Sequence, residues 1–205
     1  MWIQMRNTIV LATLLLMPAS AATQSGPPVA DFVSVREQFI SGQTRLAAQL
    51  LLQSTRYIRH QVGRSIDEVV GMQLLAAESQ LEQLANTVGN GRPTSLRVLE
   101  QALTQVDRLL AQHYVQTATA LLVRPREGDV PVIASDMQRG ALHFERSFTL
   151  DGRAPSSDAK VILADVRSVA MDMERTRRVP ENTKAVLAAF KQQLTGTAVM
   201  AVSLR

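Results

Sequence analysis

The chain has 205 residues, a formal net charge of +4, and 46% hydrophobic but only 4% aromatic residues. That length and apolar content suffice for one domain, or for two small halves packed together, and 22 Lys+Arg against 18 Asp+Glu is too small an excess to demand nucleic acid as a partner. With no Cys, a disulfide scaffold, a thiol nucleophile, a Cys zinc site and a lipid-modified N-terminal Cys are excluded, and three His leave little room for a multi-His metal centre.

Residues 1–21 read as a secretory signal peptide. Arg6 supplies the positive start, and Thr8 to Met17 is an apolar run broken only by two Thr. Ten residues suit the core of a signal but are too short to span a bilayer. Pro18 breaks the run, and Ala19-Ser20-Ala21 is a small-x-small cleavage site, so the mature chain is expected to start near Ala22. Nothing later approaches the ~18 continuous apolar residues of a membrane helix. No integral membrane segment is therefore expected after cleavage, and the expected location is the bacterial periplasm or the exterior.

Residues 22–28, with Ser25, Gly26, Pro27 and Pro28, read as a flexible leader. From there apolar residues recur at helical spacing. A short helix is predicted over Val29–Ile40, a turn at Ser41-Gly42, and a second helix over Gln43–Val62 ended by Gly63. Ser65 and Glu68 have capping-box spacing and open a third helix to about Val88. Its seam is Val70, Leu74, Ala77, Leu81, Leu84 and Val88, a heptad stripe suited to antiparallel packing.

Gly89-Asn90-Gly91-Arg92-Pro93 breaks the pattern. Thr94 or Ser95 caps the fourth and longest helix, to about Val123, with Leu96, Leu99, Leu103, Val106, Leu110, His113, Thr117 and Ala120 on its seam. After a turn at Arg124–Asp129, Asp129 is the expected N-cap and Pro131 fits the first turn of a fifth helix to about Thr149. A linker at Asp151–Ser156 leads to a sixth helix over Ser157–Arg177, and Pro180 opens the last, with Leu187, Phe190 and Leu194 inward. The tail from Gly196 to Arg205 is apolar and ambiguous.

The predicted fold is an all-α antiparallel bundle of about seven helices. Its halves, 29–123 and 124–205, pack as one domain and resemble each other. Gly42 and Gly128 are 86 residues apart, and at that offset Leu46, Ala47, Ala48, Leu51 and Ile58 meet Val132, Ile133, Ala134, Met137 and Phe144. Pro93 matches Pro180 one residue further on, which points to an internal duplication.

The main candidate site is a His pair. His113 and His143 lie equally far from Gly128, so a hairpin turning there brings both to one height, about 22 Å from the turn. Asp136, Arg139 and His143 share a helix face. His113, His143 and Asp136 are thus candidates for a ligand, metal or proton-switch site, and the competing reading is a hydrogen-bonded His pair in an interface; no fourth zinc ligand is evident. Arg175, Arg177 and Arg178 are candidates for contact with phosphate or an anionic surface, as are Arg56, Arg59 and Arg64, against the reading of solvated helix ends. Tyr57, Tyr114, Phe144, Phe148 and Phe190 fall at core spacing. Met72, Met137, Met171 and Met173 are scattered, which favours packing over a copper site. No phosphate loop, nucleophile elbow or H-E-x-x-H motif is present.

The helix–Gly–helix unit with Ala four to six residues after the Gly occurs at Ser41-Gly42-Gln43 through Ala47-Ala48 and again at Glu127-Gly128-Asp129 through Ala134. With the export signal, it resembles exported bacterial proteins built from duplicated helical hairpins, the YfdX-like proteins being the nearest named group. That resemblance implies a periplasmic, stress-linked helical protein without a settled activity, and it carries over no catalytic residue. The expected function is non-enzymatic and without cofactor: binding of a protein partner or self-association, as a scaffold or chaperone-like factor. The alternative is a small-ligand or metal-binding protein centred on His113 and His143.

Overall fold

The structure, a computed structural model, describes residues 30–202. The segments read from sequence as a signal peptide, 1–21, and a leader, 22–28, lie outside the described residues, as does the end of the apolar tail, 203–205. Among the described residues the chain forms seven α-helices and no strand: α1 (Phe32–Ile40), α2 (Thr44–Val62), α3 (Glu68–Gly89), α4 (Leu96–Leu121), α5 (Val130–Leu150), α6 (Ser157–Thr176) and α7 (Thr183–Val202). A 3-10 turn, Glu127–Asp129, precedes α5. No described helix is long and apolar enough to cross a membrane.

The helix ends follow from local hydrogen bonding, and several differ from the sequence reading. α1 opens at Phe32 instead of Val29, because the Asp31 carboxylate accepts from the Ser34 amide at 3.3 Å and the Ser34 hydroxyl at 2.7 Å. α3 is capped by Asp67, not by the expected Ser65–Glu68 box. The Asp67 carboxylate accepts from the amides of Val69 (2.9 Å) and Val70 (3.2 Å), while the Ser65 hydroxyl donates to the Asp67 carbonyl. A carboxylate also places negative charge at the positive end of the helix dipole, which a hydroxyl does not.

Ser95, not Thr94, caps α4 by accepting from the Val98 amide at 3.3 Å. α4 stops at Leu121, two residues short of Val123. Asp129 does not cap α5; its carboxylate turns back to accept from the Arg126 amide at 2.9 Å and closes the 3-10 turn. Pro131 does sit in the first turn of α5. α6 ends where Arg177 turns left-handed, φ 55°. α7 starts at Thr183, past the expected Pro180, whose carbonyl accepts from both the Thr183 amide and hydroxyl.

Packing repeats along the chain. α1 packs on α2 and α4, α2 on α3, and α3 on α4; then α4 packs on α5 and α7, α5 on α6, and α6 on α7. The neighbour relations of α1–α4 thus recur in α4–α7, with α4 serving both sets. Helix starts keep the offset read from sequence: Thr44 and Val130 are 86 residues apart, Leu96 and Thr183 are 87. The turn glycines do not match in conformation, since Gly42 takes φ +78° while Gly128 sits in the 3-10 turn without a positive φ.

Two cores result. The first gathers Phe32, Val35, Leu51, Ile58, Leu74, Leu81, Leu99 and Leu103; the second gathers Val115, Ile133, Met137, Phe144, Val166, Met173 and Phe190. The predicted α3 seam is buried along its whole length. The cores meet inside α4, where Leu110 and Tyr114 belong to the first and Ala111 and Val115 to the second. The packing therefore divides inside α4, ahead of the 123/124 boundary between the expected halves. In the second core Phe144 meets Phe148 and Phe190 edge-on, with centroids 4.9 and 5.5 Å apart, as the core reading of these aromatics requires.

Asp67 also accepts from the Gln116 side chain at 3.0 Å, tying the start of α3 to α4. Asp67→Ala is expected to lower unfolding stability by about 1–2 kcal/mol. Ser65→Ala is expected to cost less than half as much, measured by urea denaturation. A reversed order would restore the Ser65 cap.

Candidate functional site

Where the two cores meet, polar side chains are sealed inside. Asp107 and His143 are both 0% exposed, and His143 Nδ1 lies 2.7 Å from Asp107 Oδ1. The two residues stand on the facing sides of the antiparallel α4–α5 hairpin. Gly140 faces α4 at this level: a Cβ there would lie 3.5 Å from the Ala111 carbonyl oxygen and the Tyr114 Cβ, in ordinary van der Waals contact.

A second pair lies against the first. The Tyr57 hydroxyl, from α2, hydrogen-bonds the Tyr114 hydroxyl of α4. The Tyr114 ring stacks on His143, with centroids 5.7 Å apart and planes 8° from parallel. On Tyr114 the Arg139 guanidinium stands 5.8 Å from the ring centroid, a cation–π contact. His113 meets Tyr114 edge-on at 5.3 Å. Asp136 is buried nearby on α5.

Burial sets the ionisation of these groups. It pushes the Asp107 carboxyl up, against the downward pull of the His143 hydrogen bond and charge. It pushes both tyrosine hydroxyls up, that of Tyr57 being raised further by Tyr114 and that of Tyr114 being lowered in part by the Tyr57 hydrogen bond and Arg139. It pushes His113 down to about 4, with the Arg64 and His143 charges adding to the fall. It pushes Asp136 up to about 6, while Arg64 and Arg139 pull the other way.

The expected His113–His143 pairing is replaced by Asp107–His143. The reason is the turn. α4 ends early, so the hairpin pivots near Pro125 instead of Gly128, and His143 comes level with Asp107, about a turn and a half from His113. His113 and Asp136 remain close enough to the cluster to share the influence of Arg64. Among the described residues no three His, Asp or Glu side chains form a group able to hold a metal ion, so His113, His143 and Asp136 do not make the metal site considered from sequence. Asp107 was missed altogether. Its signal is an acid on a stripe otherwise filled by Leu103, Leu110, Ala111 and Tyr114 at helical spacing.

The Asp–His pair has the chemistry of a general base held by a carboxylate. His143 Nε2 and Asp107 Oδ2 make no hydrogen bond to other described groups, yet neither side chain is exposed. The cluster is a buried polar clasp, not an open reaction centre.

The basic residues have other surroundings. Arg175 pairs with Asp172 at 2.8 Å, one turn back on α6. Arg175 and Arg178 line an open cleft of about 410 Å³ at the α6–α7 turn, together with Asp172 and Pro180, and Arg177 forms the left-handed cap. A carboxylate inside this cleft works against an anion. Arg59 pairs with the buried Glu78 and holds α2 to α3, while Arg56 and Arg64 are exposed. Met137 and Met173 are core residues, and Met72 and Met171 are exposed.

The outer face of α3 is unusual. Ile66, just ahead of the helix, and Val69, Met72 and Leu75 on it are 60, 58, 57 and 47% exposed. From Val69 to Leu81 the one charged residue is Glu78, which is buried against Arg59. α3 thus fills the first core with one face and offers an apolar ridge, uncharged from Val69 to Leu75, to solvent with the other. In comparison with known proteins, no family model matches the chain, and no curated protein or solved structure matches it.

Breaking the clasp is expected to cost about 3–5 kcal/mol, because either truncation leaves a buried partner alone. His143→Ala and Asp107→Ala should each show this loss in denaturant unfolding, and the double variant should lose far less than their sum. His113→Ala should cost less than half as much, and equal losses at His113 and His143 would count against the Asp107 pairing.

The pH dependence follows from the two shifted groups. Asp136 is raised from 3.8 to about 6, so its contribution is present below 3.8 and is lost as pH rises through 6. His113 is lowered from 6.5 to about 4, so its contribution is present above 6.5 and is lost as pH falls through 4. The two oppose each other between pH 4 and 6. Asp136→Asn should be more stable than wild type at pH 7.5, by on the order of 1–3 kcal/mol. The variant should then lose stability more steeply than wild type on acidification to pH 4.5, and parallel pH profiles would contradict this assignment.

Proposed function

We propose that the protein is exported and works by binding other protein chains, as a helical scaffold or chaperone-like factor, without catalysing a reaction. The observation that carries this reading is the outer face of α3. Burial of apolar area is the main driving force of protein association, and a long uncharged ridge on a soluble helix costs solubility unless something covers it. Ile66, Val69, Met72 and Leu75 supply such a ridge, backed by a rigid heptad seam in the first core. Three further features support the reading. The secretory signal reading of residues 1–21 favours export. The Asp107–His143 pair, which has acid–base chemistry, is sealed from substrate. The recurrence of the same helix neighbours in both halves suits a structural unit duplicated for binding. The resemblance to YfdX-like proteins agrees with this role.

The test places a photoreactive side chain at Met72 of the exported chain in a bacterial host, with the same residue at exposed Val161 of α6 as a control. Cross-links to one defined protein, or to a second copy, are expected from Met72 and not from Val161. Val69→Lys combined with Leu75→Lys should abolish them while changing unfolding stability by no more than about 0.5 kcal/mol per site, since both positions are exposed. Cross-linking that persists in this variant, or a chain that stays in the cytoplasm with residues 1–21 attached, would overturn the proposal.

A further inference from the structure

A second cleft lies far along the α4–α5 hairpin from the clasp. The end of α4, the two residues that follow it and the first half of α7 line an open cleft of about 380 Å³, a volume in the range of small-molecule sites. Leu122, Val123, Leu187 and Ala188 form its floor and walls, and Lys184 and Lys191 stand on its rim. The lysines are seven residues apart on one face of α7. They are therefore separated by two turns, about 10 Å, with the apolar floor between them.

The two charged residues that line this cleft, Lys184 and Lys191, are both cations. No carboxylate lines it. α4 carries no acid after Asp107, and α7 carries none from Thr183 to Val202. Neither lysine is in an ion pair among the described residues, whereas Arg36, Arg59, Arg108, Arg153, Arg167 and Arg175 all are. Lys184 stands in the first turn of α7, where the helix dipole disfavours a cation, so helix stability does not account for it. An apolar trough with unpaired ammonium groups at its edge is complementary to a molecule with an alkyl body and an anionic head.

We propose that this cleft binds a single-chain anionic amphiphile of the fatty-acid class. The alkyl chain lies on Leu122, Val123, Leu187 and Ala188, and the carboxylate pairs with Lys184 or Lys191. The site is independent of the α3 ridge, so either assignment stands or falls alone.

Calorimetric titration of the purified chain with dodecanoate, kept below its micelle concentration, tests this. Saturable binding of one dodecanoate per chain is expected, with much weaker binding of dodecyltrimethylammonium. Lys184→Gln combined with Lys191→Gln should weaken dodecanoate at least tenfold. Val123→Glu, at a position 71% exposed and tolerant of charge, should weaken dodecanoate and strengthen the cationic analogue. Thermal unfolding of each variant shows whether it is folded. No saturable binding, equal binding of the two head groups, or binding unchanged in the lysine variant would overturn the assignment. So would a lysine variant that loses self-association while keeping dodecanoate, since the cleft would then be a protein interface.

Discussion

Removing an ionisable pair completely from water costs several kcal/mol per ion unless close geometry and hydrogen bonds return it. Asp107 and His143 meet that condition only when α4 and α5 lie in one register. Sliding α5 by a turn would leave a carboxylate and an imidazole buried without partners. The clasp adds little to net stability relative to an apolar replacement, but it penalises every other alignment of the central hairpin. The rest of the bundle hangs on that hairpin, because α1, α3 and α7 all pack against α4, and α6 packs against α5.

Around this centre the polar groups offset each other. Tyr57 and Tyr114 satisfy each other's hydroxyls across α2 and α4, and Tyr114 presents its ring to His143 on one contact and to the Arg139 guanidinium on another. Asp136 and His113 are shifted in opposite directions by the same burial. Their linkage to pH has opposite sign over a shared window, which flattens the response of the fold to moderate acid.

The local features of the fold were legible in sequence and the long-range ones were not. Seven helices, the α3 heptad seam and the aromatic core depend on residue spacing within one helix, and spacing is visible in the chain. The caps were less secure, since Ser65 and Asp67 are two residues apart and the choice between them rests on about 1 kcal/mol. The His pairing failed for a related reason. It assumed a hairpin symmetric about Gly128, but α4 ends at Leu121 and the Asp129 carboxylate turns back to Arg126. That small change at the turn moved the partner of His143 by six positions. Asp107 was readable as an acid on an apolar stripe, but its partner lies 36 residues away across the hairpin. The exposed ridge on α3 was hidden because Val69, Met72 and Leu75 read as ordinary members of an apolar helix.

The sharing of α4 between both cores bears on how the molecule opens. In a chain with one core per half, either half can unfold alone while the other persists. Here Leu99 and Leu103 anchor α4 in one core, and Val115 and Ala118 anchor it in the other. Melting either end strips a wall from its own core and frays the helix toward the other. The lowest-energy partial openings are then confined to the outer helices α1, α6 and α7. The stretch of α4 between Asp107 and Val115, flanked by both cores, is the part that such openings leave covered. Neither core is therefore complete without α4, and the two halves share one set of anchors along that helix.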